Sequence, residues 1–242
     1  MDAIHFILQG KGGVGKSLTA ALLAQYLKSQ ETDPTRVYCA DTDPVNDTFA
    51  RYDAFGAQRF KILNNDKNID PRAFDALVET LLEHEGSAVI DNGAATFVPL
   101  SAYLVENNVI ELLQEAGKTV YIHTLLTGGQ AMDDTMQGLH SLLESQKAQI
   151  IVWENEFFGV VAKEGKAFID SKFYDKNKKR IDGIIRIHKR NADTFGKDLE
   201  LLVSNRMTFD EAMVSDSFTT MPRQRLRMIQ KSIYEQLAHV GL

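Results

Sequence analysis

Gly10-Lys11-Gly12-Gly13-Val14-Gly15-Lys16-Ser17 is the stretch from which the rest of the chain can be read. It fits the frame G-x-x-x-x-G-K-[ST]. In that frame glycines let successive backbone N–H groups turn inward on phosphate oxygens, the lysine reaches the β- and γ-phosphates, and the hydroxyl holds Mg²⁺. Gly10, Gly12, Gly13, Val14, Gly15, Lys16, Ser17 and Leu18 are therefore the expected nucleotide-binding residues, with Lys16 on the phosphates and Ser17 on the metal. The flanks agree. Ala3-Ile4-His5-Phe6-Ile7-Leu8 is an apolar run suited to a buried strand, and the Ala- and Leu-rich segment from Ser17 to Lys28 carries Leu18, Ala21, Leu22, Ala24, Gln25 and Leu27 at helical spacing. Strand, loop and helix follow in the order that puts phosphate at a helix N-terminus, where unpaired N–H groups and the dipole favour an anion.

The chain has 242 residues, 44% of them hydrophobic, which suits one α/β domain over 1–242 with no linker or repeat to divide it. Cys39 is the only cysteine and lies in the apolar run Val37-Tyr38-Cys39-Ala40, so a buried strand thiol and a reducing, cytoplasmic setting are expected. Asp2 stands where a signal peptide would be basic, and no apolar stretch approaches a membrane span, so neither export nor insertion is expected. The net charge of −6 is unevenly spread. Residues 1–159 hold 11 Lys/Arg against 22 Asp/Glu, whereas residues 160–242 hold 16 against 11, so an anionic partner would be sought in the last third.

Apolar runs alternate with amphipathic segments, the mark of a mostly parallel twisted sheet with helices on both faces. Strands are expected near 3–9, 36–41, 59–63, 87–91, 118–125, 149–153 and 181–187, about seven in all, with helices near 17–29, 72–84, 99–115, 129–145 and 192–203. Asp70-Pro71 reads as an N-cap and first-turn proline, Thr208-Phe209-Asp210-Glu211 as a capping box, and a last helix opens at Pro222 with the apolar stripe Leu226, Ile229, Ile233 and Leu237.

In an open sheet, ligands bind beyond the carboxyl ends of the strands, so acids placed just after a strand face the same crevice as the phosphate loop. Two segments qualify. Val37–Ala40 runs into Asp41-Thr42-Asp43-Pro44-Val45-Asn46-Asp47, and Ser87-Ala88-Val89-Ile90 ends in Asp91, the Walker B arrangement that brings a carboxylate towards Mg²⁺. An Asp/Pro turn without chemistry is the competing reading of the first. None of the six histidines has metal-ligand spacing, and His123 reads as a core or strand-end residue.

The form K-G-G-x-G-K-[ST], with Lys11 inside the loop, resembles the deviant Walker A loop of the ParA/MinD/nitrogenase-iron-protein superfamily. The resemblance implies a P-loop NTPase fold, ATP and Mg²⁺ as cofactors, and an ATP-dependent homodimer in which Lys11 reaches the partner's nucleotide as a catalytic cation beside Lys16. It also implies that Asp43 orients the attacking water and lies near the metal, that Asp47 is a further acid near Mg²⁺, and that Asn155, ending Ile150-Ile151-Val152-Trp153-Glu154, reads the adenine edge. His188 stands where partition ATPases usually carry a proline, and Asn92-Gly93-Ala94-Ala95 replaces the usual Pro or Gly switch after Asp91.

A narrower likeness runs from end to end. Gln9 to Ser17, Asp41 to Asn46, Val89 to Ala94, Phe97-Val98-Pro99-Leu100-Ser101, Thr127-Gly128-Gly129-Gln130-Ala131 and Arg223-Gln224-Arg225-Leu226 resemble the TraL conjugal-transfer proteins of broad-host-range plasmids and the related MobD proteins. Asn92-Gly93-Ala94 is what that subfamily carries.

Several functions compete. The leading one is an ATP-hydrolysing dimer switch in plasmid conjugal transfer, with an unknown conjugation or partition partner protein. The others are a partition or positioning ATPase, a nucleotide-binding interaction module with little turnover, and a small-molecule ligase or kinase resembling dethiobiotin synthetase, which would need a second, substrate-sized pocket. Non-specific DNA binding is expected from Lys176, Lys178, Lys179 and Arg180 and from the row Arg223, Arg227 and Lys231, against the plainer reading of a solvated helix face. No membrane partner is expected, because Ala238-His239-Val240-Gly241-Leu242 lacks the faces of a membrane-targeting helix.

Overall fold

The structure, a computed structural model, describes residues 2–163 and 165–242. The expected sheet is present. Strands β1 (Ala3–Ile7), β2 (Val37–Asp41), β3 (Gln58–Arg59), β4 (Ser87–Asp91), β5 (Thr119–Thr127), β6 (Gln149–Asn155) and β9 (Ile181–Ile187) pair in the order β3-β2-β4-β1-β5-β6-β9. Every pairing in this sheet is parallel. The short strands β7 (Ala162–Lys163) and β8 (Lys166–Ala167) form a separate antiparallel pair.

Period-two alternation splits the strand residues between two cores. Ile4, Phe6, Ala88, Ile90, Val120, Ile122, Ile150 and Val152 face helices α2 (Ala73–Glu83), α3 (Phe97–Glu106), α4 (Val109–Glu115) and α5 (Met132–Ser145). Ile7, Cys39, Val89, Leu125, Ile151 and Trp153 face α1 (Lys16–Gln30), α7 (Lys197–Ser204), α8 (Phe209–Val214) and α9 (Thr220–His239). On the second face three buried polar rings interlock. Indole Nε1 of Trp153 can only donate, to His123 Nδ1 at 3.0 Å, so His123 carries its proton on Nε2 and donates to His5 Nδ1 at 2.9 Å. Burial holds both imidazoles neutral, that of His5 down to about 3. The Cys39 thiol is buried and pushed up to about 12, as expected of a strand thiol. At the edge of β9, the Gln236 side chain accepts from Arg186 N at 2.7 Å and donates to Arg186 O at 3.1 Å, which satisfies backbone groups that a further strand would otherwise pair.

Several element boundaries differ from the sequence reading. The expected helix 99–115 is two helices, because Asn108 takes the left-handed conformation (φ 48°) and ends the first register. The strand expected over 59–63 pairs only at Gln58 and Arg59 before the chain leaves the sheet and Leu63 bridges to Ile69. Asp70 does not cap α2 directly. Its carboxylate accepts from Arg72 N at 3.0 Å, closing a turn from which the helix starts at Ala73. Helix α9 opens at Thr220, with Pro222 inside its first turn, and the Thr208–Glu211 capping box is formed. Because all seven main strands are parallel, the segments leaving β1, β2, β4, β5 and β6 emerge at one edge of the sheet.

Candidate nucleotide site

The segment after β1 makes the phosphate cradle. Gly13 (φ 73°) and Gly15 (φ 103°) hold left-handed conformations that let the loop curl over the start of α1, and the first turn of that helix carries no acidic residue. Inside the curl, Lys16 is buried and its Nζ donates to the Lys11 carbonyl at 2.9 Å. Burial lowers the Lys16 ammonium, while the Asp91 and Asp43 charges oppose that shift. A helix N-terminus with free N–H groups and one buried cation is suited to the β- and γ-phosphates of a nucleotide.

Two uncharged amides support the cradle from behind. Gln9 is buried; its Nε2 donates to Leu125 O (2.9 Å) and Thr135 O (3.2 Å), and its Oε1 accepts from Lys11 N (3.3 Å). Asn155, at the end of β6, donates to Val14 O at 2.9 Å and accepts from Phe157 N at 3.1 Å. A Cβ on Gly15 would stand 2.9 Å from its Nδ2. The expected adenine reader is thus buried against the P-loop with both ends of its amide engaged, and it braces the loop in this conformation. Sequence reasoning gave Gln9 no role; a polar residue closing an apolar strand run was its only signal.

The acids emerge from β2 and β4, which lie side by side with Asp41 in register with Asp91. Asp91 is buried and its Oδ1 has no hydrogen-bond partner among the described residues. Burial raises its carboxyl to about 7, reinforced by Asp41 and Asp43 and opposed by a hydrogen bond from Ser17 and by Lys16. A buried carboxylate with one oxygen unspent, hydrogen-bonded as a group to the Ser17 hydroxyl, fits Mg²⁺, which takes one or two protein oxygens and completes its shell with phosphate and water. Among the described residues, no group of three or more His, Cys, Asp or Glu could hold a metal unaided.

Asp43 is half-buried, and its Oδ1 accepts from Val45 N (2.9 Å) and Asn46 N (3.2 Å). Asp41, which was given no separate role, is a support: it accepts from Asp43 N and Ala50 N, both at 2.9 Å, and burial raises its carboxyl. Asp47 lines a groove with Asp41 and Asp43, and its carboxylate is paired with Arg51 (2.8 Å) and Arg59 (3.3 Å), which compete with a metal for its charge. This open groove of about 420 Å³ is lined also by Arg51, Arg59 and Lys61. No sequence feature had pointed to it.

Lys11 stands outside the cradle, exposed, with Nζ 2.7 Å from Asp134 Oδ2 at the start of α5. The neighbouring Thr127-Gly128-Gly129 segment carries a pair of glycines. Gly129 is left-handed (φ 71°), and a Cβ on Gly128 would lie 2.4 Å from Gly159 O, so close backbone packing explains the pair. The basic last third is less free than its composition implied. Arg223 donates to Ser215 O at 2.9 Å and Arg180 to Gln146 O at 2.6 Å and Ala148 O at 2.9 Å, so both are braces; Lys178 pairs with Asp175 and Arg225 with Asp198. Of the row on α9, Arg227 and Lys231 are the exposed cations. Among the described residues no helix is long and apolar enough to cross a membrane.

Comparison with known proteins agrees with this geometry. The sequence profile of the CobQ/CobB/MinD/ParA nucleotide binding domain matches residues 5–233. Two Escherichia coli proteins, each named Protein TraL, are similar over essentially their whole length. One is 43% identical over 244 residues, covering 100% of both chains, and the other 45% identical over 239 residues, covering 98% of both. Among solved structures, the MinD cell division protein of Aquifex aeolicus superposes with a TM-score of 0.51 at 14% identity, covering 99% of this chain and 98% of that one, a likeness of fold. The chain belongs to the MinD/ParA family of nucleotide-binding domains and, within it, groups with the TraL proteins.

Proposed function

We propose that this member of the MinD/ParA family is an ATP-hydrolysing dimer switch that serves plasmid conjugal transfer, as the TraL resemblance implies. The observation that carries the reading is the placement of Lys11. Its backbone carbonyl serves the cradle by receiving Lys16, but its ammonium points out of the loop to the exposed Asp134, away from its own nucleotide, and would reach another's by leaving that acid.

In this reading the P-loop N–H groups and Lys16 would hold the phosphates, and Ser17 and Asp91 would hold Mg²⁺, which would supply positive charge against the charge developing in phosphoryl transfer. Asp43 would orient the attacking water by accepting a hydrogen bond from it. Phosphoryl transfer needs placement more than covalent help, so one carboxylate fixed beside Lys16 is sufficient machinery. Sedimentation with ADP, ATP and a non-hydrolysable ATP analogue, run alongside phosphate release, tests the reading. It expects monomer with ADP, dimer with the analogue and measurable phosphate; a chain that stays monomeric with the analogue would refute the switch.

Two other readings retain a specific support. The altered segment after Asp91 favours an interaction module with little turnover, which phosphate release separates from the first. The groove beside Asp43 favours a small-molecule acceptor; it would show as ATP consumption that rises with the acceptor and is lost in Arg59→Ala.

A further inference from the structure

We propose that Asn92 and Gly93 are positioning residues that set the Asp43 carboxylate for hydrolysis, a role that rests on the ATPase reading above. Gly93 has φ −63° and ψ 154°, a conformation open to any residue, so backbone freedom is not why a glycine stands there. Space is the reason. A Cβ at Gly93 would lie 2.7 Å from Asp43 Cγ, 2.8 Å from its Oδ1 and 3.0 Å from its Cα. On its other flank Asp43 is gripped by Val45 N and Asn46 N of its own loop. The carboxylate is therefore held between its loop and the bare α-carbon of Gly93.

Asn92 ties the two segments together. It is 1% exposed, and its amide lies between the hydroxyls of Thr42, which immediately precedes Asp43, and Thr96 (3.1 Å). Thr42 N also donates to Asp91 O at 3.0 Å, and the Thr96 hydroxyl reaches Gly93 O at 2.8 Å. One end of the amide, Nδ2, is buried with no partner among the described residues. The hydrogen bonds at the other end fix the exit of β2 against the exit of β4, and Asp43 leaves the first and Asp91 the second. The segment Asn92-Gly93, which departs from the Pro or Gly switch of related ATPases, thus keeps the geometry of the water-orienting acid by a tie and a gap.

The test is a pair of variants with three readouts. A methyl at position 93 forces the carboxylate back by about 0.7 Å to reach ordinary contact at 3.4 Å. In Gly93→Ala, kcat should fall roughly 10- to 100-fold, the range for a misplacement near one ångström, while KM and the affinity for a non-hydrolysable ATP analogue stay within about threefold. The nucleotide-free melting temperature should drop by roughly 3–10 °C from the overpacking, and part of that drop should vanish in an Asp43→Ala background, where the contacts at 2.7 and 2.8 Å are removed and the one to Cα at 3.0 Å stays. Asn92→Leu keeps the volume and removes the tie, and should show the same split of kcat from affinity. Native kcat in Gly93→Ala, or an equal melting-temperature loss with and without the Asp43 side chain, would overturn the proposal. A native chain that releases no phosphate would instead refute the ATPase reading and take the positioning role with it. If Asn92→Leu fails to fold, the Gly93 cycle decides alone.

Discussion

Asp134→Ala should tighten the ATP-dependent dimer. The substitution removes the acid that holds Lys11 in its own subunit, a 2.7 Å pair whose side chains are 43% and 55% exposed, and Asp133 remains to serve the N-terminus of α5. A pair this exposed is worth roughly 0.2–1 kcal/mol. A dimer that uses Lys11 across its interface opens one such pair in each copy, at a cost of about 0.4–2 kcal/mol per dimer, which is roughly 2- to 30-fold in the dimer constant. Sedimentation velocity over a concentration series with a non-hydrolysable ATP analogue measures that constant. The gain should be largest near 0.1 M salt and shrink towards 1 M, where the Debye length falls from ~10 to ~3 Å. Lys11→Ala should bind nucleotide as a monomer, fail to dimerise, and make Asp134→Ala silent. A weaker dimer in Asp134→Ala, or the same gain without Lys11, would refute the reasoning.

Lys16→Ala should lose nucleotide binding altogether in a fluorescent-nucleotide titration, because Lys16 is the cation buried in the cradle; unchanged affinity would remove the site assignment. Asp43→Ala should bind ATP, dimerise and release phosphate at least 10²-fold more slowly, so that the dimer accumulates; normal turnover would move the water-orienting role to another acid. Mg–nucleotide binding should release protons in proportion to the protonated fraction of Asp91. With that carboxyl raised to about 7, release should be close to one proton near pH 6, about half near pH 7 and almost none near pH 8.5, as read by calorimetry in buffers of different ionisation enthalpy. Asp91→Asn should flatten that profile, and a native chain with a flat profile would contradict the assigned ionisation. DNA retention, if it follows the exposed cations of α9, should require ATP, fall steeply with salt and be lost in Arg227→Ala/Lys231→Ala. Arg223 should be left in place because it braces Ser215 O. Retention that ignores nucleotide would return these residues to an ordinary solvated face.

The elements written in short-range code were legible. Alternating apolar runs place the strands, the P-loop frame places the cradle, and acids closing strand runs place Asp43 and Asp91, because a parallel sheet gathers strand ends at one edge whatever the rest of the chain does. What escaped the sequence depends on neighbours far along the chain. Asn155 as a P-loop brace needs Val14, 141 residues away, and the Lys11 pair needs Asp134, 123 residues away; neither partner carries a local mark. Asn108 broke a helix that apolar spacing joined, since an asparagine accepts a left-handed backbone at small cost but does not announce it. Gly93 is the sharpest case. Its backbone is ordinary, so no turn signal marks it, and what singles it out is the absence of a Cβ where Asp43 lies.

Those long-range contacts divide the site along β1. The phosphate cradle is anchored from the β5, β6 and α5 side by Gln9, Asn155 and the Lys11–Asp134 pair. The acids are anchored on the β2 and β4 side through Thr42, Asn92 and Gly93. Two links cross between the halves: the hydrogen bond between Ser17 and Asp91, and the charge of Lys16 felt by Asp91 and Asp43. Both pass through the place assigned to Mg²⁺ and the terminal phosphates. Loading the site would therefore act on the links and leave each anchor intact, so the half that binds nucleotide and the half that orients water can be perturbed separately. Changes at Gln9 or Asn155 should then act first on affinity, and changes at Asn92 or Gly93 on turnover. An altered segment after Asp91 is compatible with a fully formed nucleotide site for the same reason: no side-chain tie from Asn92 or Gly93 reaches the cradle.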